Sequence, residues 1–371
     1  MNKLKLLFPT LLLCLFSFSC NKSVQQLTSQ QPKAKNIILL IGDGMGLAQV
    51  SSAYYFSEEK PNFSRFKCIG LHQNTPIGEL ITDSASGATA FSTGYKSYNA
   101  AIGVDKDTVA RETILEWAAK HGKSTGLAVT CSITHATPGS FYAHVAHREM
   151  HEDIAVDFVR SPVDFAAGGG YQFFAKRKDG RNLLDSLAAK GIAVDTMKLG
   201  TGQVPGHRYA YLVAPDSLHS IWGGRGDFLP KATQTALDFL SKDKDGFFLM
   251  VEGSQIDWGG HNNNAQYLIN EVKDFDKAVG LALDFAEKDG NTLVVVTADH
   301  ETGGFALSAP VIFGRGDYHH ISPTFSTPGH TASLIPVFAY GPGAEQFMGV
   351  YQNNDIFWKM MAMFKGTGSA H

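Results

Sequence analysis

Asn36-Ile37-Ile38-Leu39-Leu40-Ile41-Gly42-Asp43-Gly44-Met45-Gly46 decides the architecture. The apolar positions run on without polar alternation. That pattern marks a strand covered on both faces, as in a parallel sheet. The run ends in a glycine-rich turn. Its glycines allow positive φ and leave Asp43 unscreened at the strand's carboxyl end. Open α/β sheets bind their ligands at that edge.

Further apolar runs repeat the design. Ser124 to Cys131 leads into Ser132-Ile133-Thr134-His135-Ala136-Thr137-Pro138. Phe247 to Val251 leads into Glu252-Gly253-Ser254-Gln255-Ile256-Asp257-Trp258-Gly259-Gly260-His261. Thr292 to Thr297 ends in Ala298-Asp299-His300, and Gly329-His330-Thr331 precedes the apolar Ile335 to Tyr340. Val163 to Gly170 reads as a short strand and turn. Helical spacing covers Thr113 to His121, Pro230 to Ser241, Asn262 onward through Val279, and Asp355 to Phe364. Tyr171 to Gly226 reads as peripheral strands and loops. Gly303 to Thr327 is loop-rich, which puts His319 and His320 on the surface. The expected fold class is α/β, a three-layer sandwich with a mostly parallel central sheet.

Length admits one large domain or two, since the chain has 371 residues. The net charge of −3 comes without a basic block, so electrostatics give no sign of a nucleic-acid partner. Lys3 and Lys5 precede an apolar run from Leu6 to Phe18, too short to span a bilayer and in the charge order of a secretory signal. Ser19-Cys20 followed by polar residues resembles a bacterial lipoprotein signal, although Phe18 makes the lipobox imperfect. The expectation is an exported protein, periplasmic or attached to the outer membrane through a lipid on Cys20. Residues 1–20 would be the signal, and residues 21–35 a polar tether. Cys68 and Cys131 remain beyond it, one pair and no disulfide framework; the sequence does not say whether they bond.

Thr82-Asp83-Ser84-Ala85-Ser86-Gly87-Ala88-Thr89 is crowded with small residues. Ala85 to Phe91 reads as the first turns of a helix, with Ser84 at its N-terminus. Free N–H groups and the positive end of the dipole favour an anion there, so a serine so placed suits attack on phosphate. Asp257 and His261 stand four apart and can face one point from a single helical turn. In a parallel sheet the ends carrying Asp43, His135, Thr137, Glu252, Asp257, Asp299 and His300 meet at one edge. Mixed histidine and carboxylate ligands suit zinc, and oxygen-only sets suit magnesium. Spacing alone does not divide these residues among ions.

Gly42 to Gly46, Thr82 to Thr89, Val251-Glu252-Gly253, Asp257 with His261, Thr297 to His300 and Gly329-His330-Thr331 resemble the alkaline phosphatase motifs, in the family's order. The resemblance runs from about Asn36 to Phe364, which implies one catalytic domain over residues 36–365. It implies two Zn2+ ions, one on Asp257, His261 and His330, the other on Asp43, Asp299 and His300 and touching Ser84. It implies one Mg2+ on Asp43, Thr137 and Glu252, with His135 at that third site. His135 and Trp258 stand where some members carry Asp and Lys, so His135 withdraws a carboxylate from the magnesium and Trp258 a cation from the phosphate. Ser84 would be the nucleophile and Arg148 the phosphate-binding fork, with Trp258 at the substrate. Family members are commonly homodimers, but the sequence itself carries no dimer signal.

The implied reaction is hydrolysis of phosphate monoesters through a phosphoserine, releasing inorganic phosphate. A serine hydroxyl needs a metal or base to lower its pKa, and a metal pair stabilises the attacking and leaving oxygens of an in-line displacement. Two rivals share the sheet: a phosphodiesterase and a sulfatase. Neither cysteine, nor Ser84, lies in the Cys/Ser-x-Pro-x-Arg motif that sulfatases modify. A non-enzymatic zinc-binding lipoprotein explains the histidines but not Ser84 and Arg148 beside them.

Overall fold

The computed structural model describes residues 33–202, 208–312 and 314–366. The expected signal, and the tether up to residue 32, lie outside them. The tether's last residues are already tied in: Ala34 is buried, and its N–H donates to Met363 O.

One ten-stranded sheet carries the fold. Eight of its strands are β1 (Asn36–Gly42), β2 (Cys68–Gln73), β3 (Ser124–Ser132), β4 (Phe165–Gly169), β5 (Ile192–Asp195), β6 (Arg208–Leu212), β7 (Phe247–Gly253) and β8 (Thr292–Thr297). The other two are Ile335–Tyr340 and Gly349–Gln352. Across the sheet the order is Gly349–Gln352, β2, Ile335–Tyr340, β8, β1, β7, β3, β4, β6, β5. Ile335–Tyr340 is antiparallel to both neighbours, and every other pairing in the sheet is parallel. The mostly parallel α/β sandwich read from the apolar runs is therefore the observed one.

Apolar runs without alternation put side chains on both faces, and both faces are covered. Ile37, Leu39 and Ile41 pack with Ala85, Ala88 and Phe91 of the Ser84–Thr93 helix. Ile38 and Leu40 pack on the other side with Leu268, Val272 and Phe275 of the Ala265–Asp289 helix. Register aligns the functional ends: Ile41 pairs with Glu252 on one side and Thr297 on the other. Asp43, Glu252 and Asp299 thus emerge within two residues of one line. The reversed strand matters here too. Because Ile335–Tyr340 runs the opposite way, the residues before it, His330 among them, arrive at the carboxyl edge of the others.

Several elements go beyond the sequence reading. The Leu47–Phe56 and His151–Arg160 helices, β2 and Gly349–Gln352 are not among the elements read from the sequence, although His151–Arg160 buries Ile154, Ala155, Phe158 and Val159 at helical spacing. The stretch after Tyr171 holds β5 and β6, as expected, and also the Gln172–Ala175 and Leu183–Ala189 helices. The helix expected from Asn262 begins at Ala265, where the Asn264 side chain accepts from Tyr267 N, and Gln255–His261 is a separate short helix. Phe141 to Arg148 forms turns rather than a regular element. Cys68 and Cys131 are free. No described helix is long and apolar enough to cross a membrane.

One buried ionic cluster fastens the loop over the ends of β3 and β4. Arg225 pairs with Glu271 and Asp274 of the long helix, and the side chains are all 1–2% exposed. Arg225 Nη1 also donates to His219 O, and Ile221 N donates to Glu271. Arg225→Ala would leave two buried carboxylates without their cation, a loss of about 3–5 kcal/mol. Urea unfolding at neutral pH should show that drop.

Candidate active site

Ser84 is the first residue of its helix and is 2% exposed. Asp83 caps that helix: its Oδ1 accepts from Ser86 N at 3.0 Å, which satisfies one of the free N–H groups of the first turn. Its Oδ2 accepts from Ala100 N and from Arg148 Nη1, both at 3.0 Å. One carboxylate therefore fixes both the helix start and the arginine. Among the described residues Asp83 is the only hydrogen-bond partner of the Arg148 side chain, and the remaining fork is free for a planar two-oxygen anion. Burial works against the guanidinium's charge, but Asp83 outweighs it and holds the Arg148 pKa above its ordinary value.

Histidine tautomers define the rest. His261 Nδ1 lies 2.6 Å from Pro328 O, and His330 Nδ1 lies 2.8 Å from Thr82 O. A carbonyl only accepts, so each Nδ1 carries the proton. The two Nε2 atoms then face each other, 3.1 Å apart; burial lowers His330 to about 4, so its Nε2 is bare, while Asp257 raises His261 above its ordinary value. Asp257 faces the same point, with Oδ2 3.3 Å from His261 Nε2 and Oδ1 3.6 Å from His330 Nε2. His300 repeats the pattern. Thr302 Oγ1 donates to Asp257 Oδ1 and so accepts from His300 Nδ1 at 3.1 Å. His300 Nε2 then faces Ser84 Oγ at 3.2 Å, Asp299 Oδ2 at 3.4 Å and Asp43 Oδ1 at 3.6 Å.

A cation among these groups would satisfy them together, and the buried oxygens around them lack partners as well. Both oxygens of Asp43, Oδ2 of Asp299, Oε1 of Glu252 and Oγ1 of Thr137 have no hydrogen-bond partner among the described residues. Asp299 Oδ1, in contrast, accepts from Gly44 N and His300 N, which aims its free oxygen. Burial pushes Asp43 well above the usual carboxylate range, and the charges of Asp299, Asp257 and Glu252 add to it. Burial likewise raises Glu252 to about 7. Asp257 goes the other way: burial would raise it, but His261, His300 and His330 together pull it below the usual range. Unpaired buried anions are costly, and divalent cations fit this donor set.

Two groups of ligand atoms converge closely: Asp257, His261 and His330, and Asp43, Asp257 and His300. Asp299 adjoins the second through His300. The family resemblance implies Asp257 in the first set alone; here it borders both. His135 stands two residues before Thr137, with its Nδ1 enclosed and unpartnered among the described residues. Its ring meets the edge of Trp258, with centroids 6.2 Å apart. Burial, then the charge of Arg148, push it down to about 3, so it is neutral. Trp258 is half-buried and packs partly against the core. His319 and His320 are exposed, as expected. Sequence reasoning missed Thr302, and it missed Asp83 as the partner of Arg148. Thr302 had a signal: two residues past His300 in an extended segment, it shares that residue's face.

A buried serine hydroxyl at a helix N-terminus, an arginine fork and clustered histidine–carboxylate groups are features suited to metal-assisted phosphoryl hydrolysis. Comparison with known proteins agrees. The sequence model of the alkaline phosphatase family matches residues 34–322. Alkaline phosphatase 3 of Bacillus subtilis is 34% identical, covering 95% of each chain. The Escherichia coli alkaline phosphatase is 31% identical over 89% of this chain and 86% of its own. The solved alkaline phosphatase of the Antarctic bacterium TAB5 is 52% identical, with a TM-score of 0.89 over 90% of this chain and 99% of that one. Variants of the TAB5 enzyme with a histidine replaced by Asp or Glu hold Mg in a site named M3. The chain belongs to the alkaline phosphatase family, enzymes that hydrolyse phosphate monoesters with divalent metals.

Ser84 reaches the ligands only because its helix comes close to the Asp299 segment. A Cβ on Gly87 would lie 2.9 Å from Asp299 Cβ. Gly87→Ala should cost about 1–3 kcal/mol through overpacking, and it should separate Ser84 from His300. Thermal unfolding together with steady-state turnover checks this: turnover should fall by much more than the stability loss accounts for.

Proposed function

We propose that Ser84 Oγ attacks the phosphorus of a phosphate monoester in line with the leaving alcohol. The Oγ–P bond forms as the ester P–O bond breaks, and a phosphoserine remains. Water then attacks that phosphorus, breaks the Oγ–P bond and releases inorganic phosphate. The observation that carries this reading is that His300 Nε2 meets the Ser84 hydroxyl and is itself flanked by orphaned oxygens of Asp43 and Asp299.

Asp257, His261 and His330 would hold one zinc ion, and Asp43, Asp299 and His300 a second. Asp43, Thr137 and Glu252 would hold magnesium beside His135. When bound, these ions supply Lewis-acid stabilisation of the oxygens that gain charge. The chain's own residues do the rest. The backbone at the helix start and the Arg148 fork take the non-bridging phosphate oxygens. Asp83 fixes that fork in register with Ser84. Trp258 closes one side as a half-buried apolar wall. Residues 36–365 would act as one catalytic domain. Lys3, Lys5 and Ser19-Cys20 support export with a lipid anchor ahead of the tether.

A charge-assisted hydrogen bond is worth about 1.5–3 kcal/mol. Arg148→Ala should therefore lower turnover by roughly one to two decades for each bond lost. Ser84→Ala removes the covalent route and should cost far more. Equal, modest losses in both would reverse the role assignment. Metal analysis should find zinc and magnesium, and intact-mass measurement after low-pH trapping should find phosphate on the Ser84 peptide. Aryl diesters and sulfates should turn over poorly beside the monoester.

His135 offers a test of the third site. It lies at the start of the Ala136–Gly139 helix that carries Thr137, and a histidine-to-aspartate variant of the TAB5 enzyme holds Mg in its M3 site. His135→Asp should raise magnesium affinity about tenfold or more, the scale of changes close around a metal. Calorimetric titration of the zinc-loaded protein reads it.

A further inference from the structure

Glu301 follows His300, is 5% exposed, and accepts two hydrogen bonds at each carboxylate oxygen. Oε1 accepts from Gln49 Nε2 at 2.6 Å and Phe305 N at 3.0 Å. Oε2 accepts from Gly304 N at 3.2 Å and from Thr331 Oγ1. These donors come from three directions. Gln49 sits in the helix that follows the Asp43 turn, and its Nε2 also donates to Thr302 O at 3.0 Å. Thr331 follows His330 and lies opposite Glu301 in a short antiparallel pair, with His330 opposite Thr302. Gly304 and Phe305 begin the loop-rich excursion that returns at Pro328, whose carbonyl fixes His261.

Room for this carboxylate is built into the Asp43 turn. A Cβ on Gly46 would lie 2.4 Å from Glu301 Cγ. The φ of Gly46 is −74°, which any residue adopts, so this position is glycine for space and not for conformation. The effect of the network appears in the rings: His300 and His330 stack with centroids 3.5 Å apart. One of them faces Ser84 and Asp43, and the other faces Asp257 and His261.

We propose that Glu301 is a positioning residue for both cation clusters. It ties the turn carrying Asp43, the segment carrying Asp299 and His300, and the strand carrying His330, and so sets the spacing of the two ligand groups without touching either ion or substrate. The inference rests on the reading of those groups as zinc ligands. Partners of this kind, one bond removed from the ligands, typically change metal affinity about 10–100-fold when lost.

Glu301→Gln, Glu301→Ala and Gly46→Ala, made in the full chain, test it. Zinc affinity is measured by competition against a chelator, and thermal unfolding is followed with and without zinc. Glu301→Ala should weaken zinc binding about 10–100-fold and shrink the rise in unfolding temperature that zinc gives the wild type. Glu301→Gln keeps one of the two accepting oxygens and should lose less, which separates positioning from failure to fold. Gly46→Ala should follow Glu301→Ala, because it displaces the same side chain. Wild-type affinity in both Glu301 variants, with only the zinc-free unfolding temperature lowered, would make the residue merely structural and overturn the proposal. A wild-type chain that takes up no zinc would instead overturn the site reading on which the proposal stands.

Discussion

The structure turns on electrostatic repulsion that the chain creates for itself at one edge of its sheet. Asp43, Glu252, Asp257 and Asp299 are gathered where water cannot screen them. Three imidazoles point basic nitrogens into the same space. Folding alone does not relieve this. The packed faces of β1, β7 and β8 supply the free energy that holds the groups together, and a bound cation converts the repulsion into attraction. Affinity for metal is thus a property of the hydrophobic core as much as of the ligands.

The orientation of the ligand rings is fixed from behind. Pro328 O and Thr82 O hold the Nδ1 protons of His261 and His330, and Thr302 does so for His300. Thr82 lies two residues before Ser84, so the segment that delivers the Ser84 hydroxyl also orients the His330 ring. Asp83 performs the equivalent coupling for Arg148. The histidine–carboxylate cluster, the Ser84 hydroxyl and the Arg148 fork are therefore one connected unit, and displacement of one part moves the others.

Much of this was readable from residue order because buried parallel strands announce themselves. Asn36–Gly42, Phe247–Gly253 and Thr292–Thr297 are dominated by apolar residues, and the segment after each is short, polar and confined to one edge. The Leu47–Phe56 helix carries no such signal, since Gln49 and Ser52 are buried while Leu47, Tyr54 and Tyr55 are exposed. β2 misleads in the same way, burying His72 and exposing Ile69. His72 is buried because its Nε2 meets Ala298 O, a partner 226 residues away. The link between Asp83 and Arg148 was hidden for the same reason. Residue types reveal which groups can do chemistry; contacts between distant segments decide which of them are coupled, and local pattern does not carry that. The division of ligands shows this limit: spacing does not assign Asp257 to one ion, and in the structure it borders both clusters.

The lone reversed strand has a consequence for biogenesis. Donor atoms for a single pocket are drawn from Asp43 near the start of the domain and from His330 near its end, the latter delivered only once Ile335–Tyr340 has docked between β2 and β8. A nascent polypeptide lacking its last tenth thus has no complete cage, however well its earlier strands have collapsed. With Asp43 and His330 both among the ligands, a bound cation would staple opposite ends of the polypeptide together.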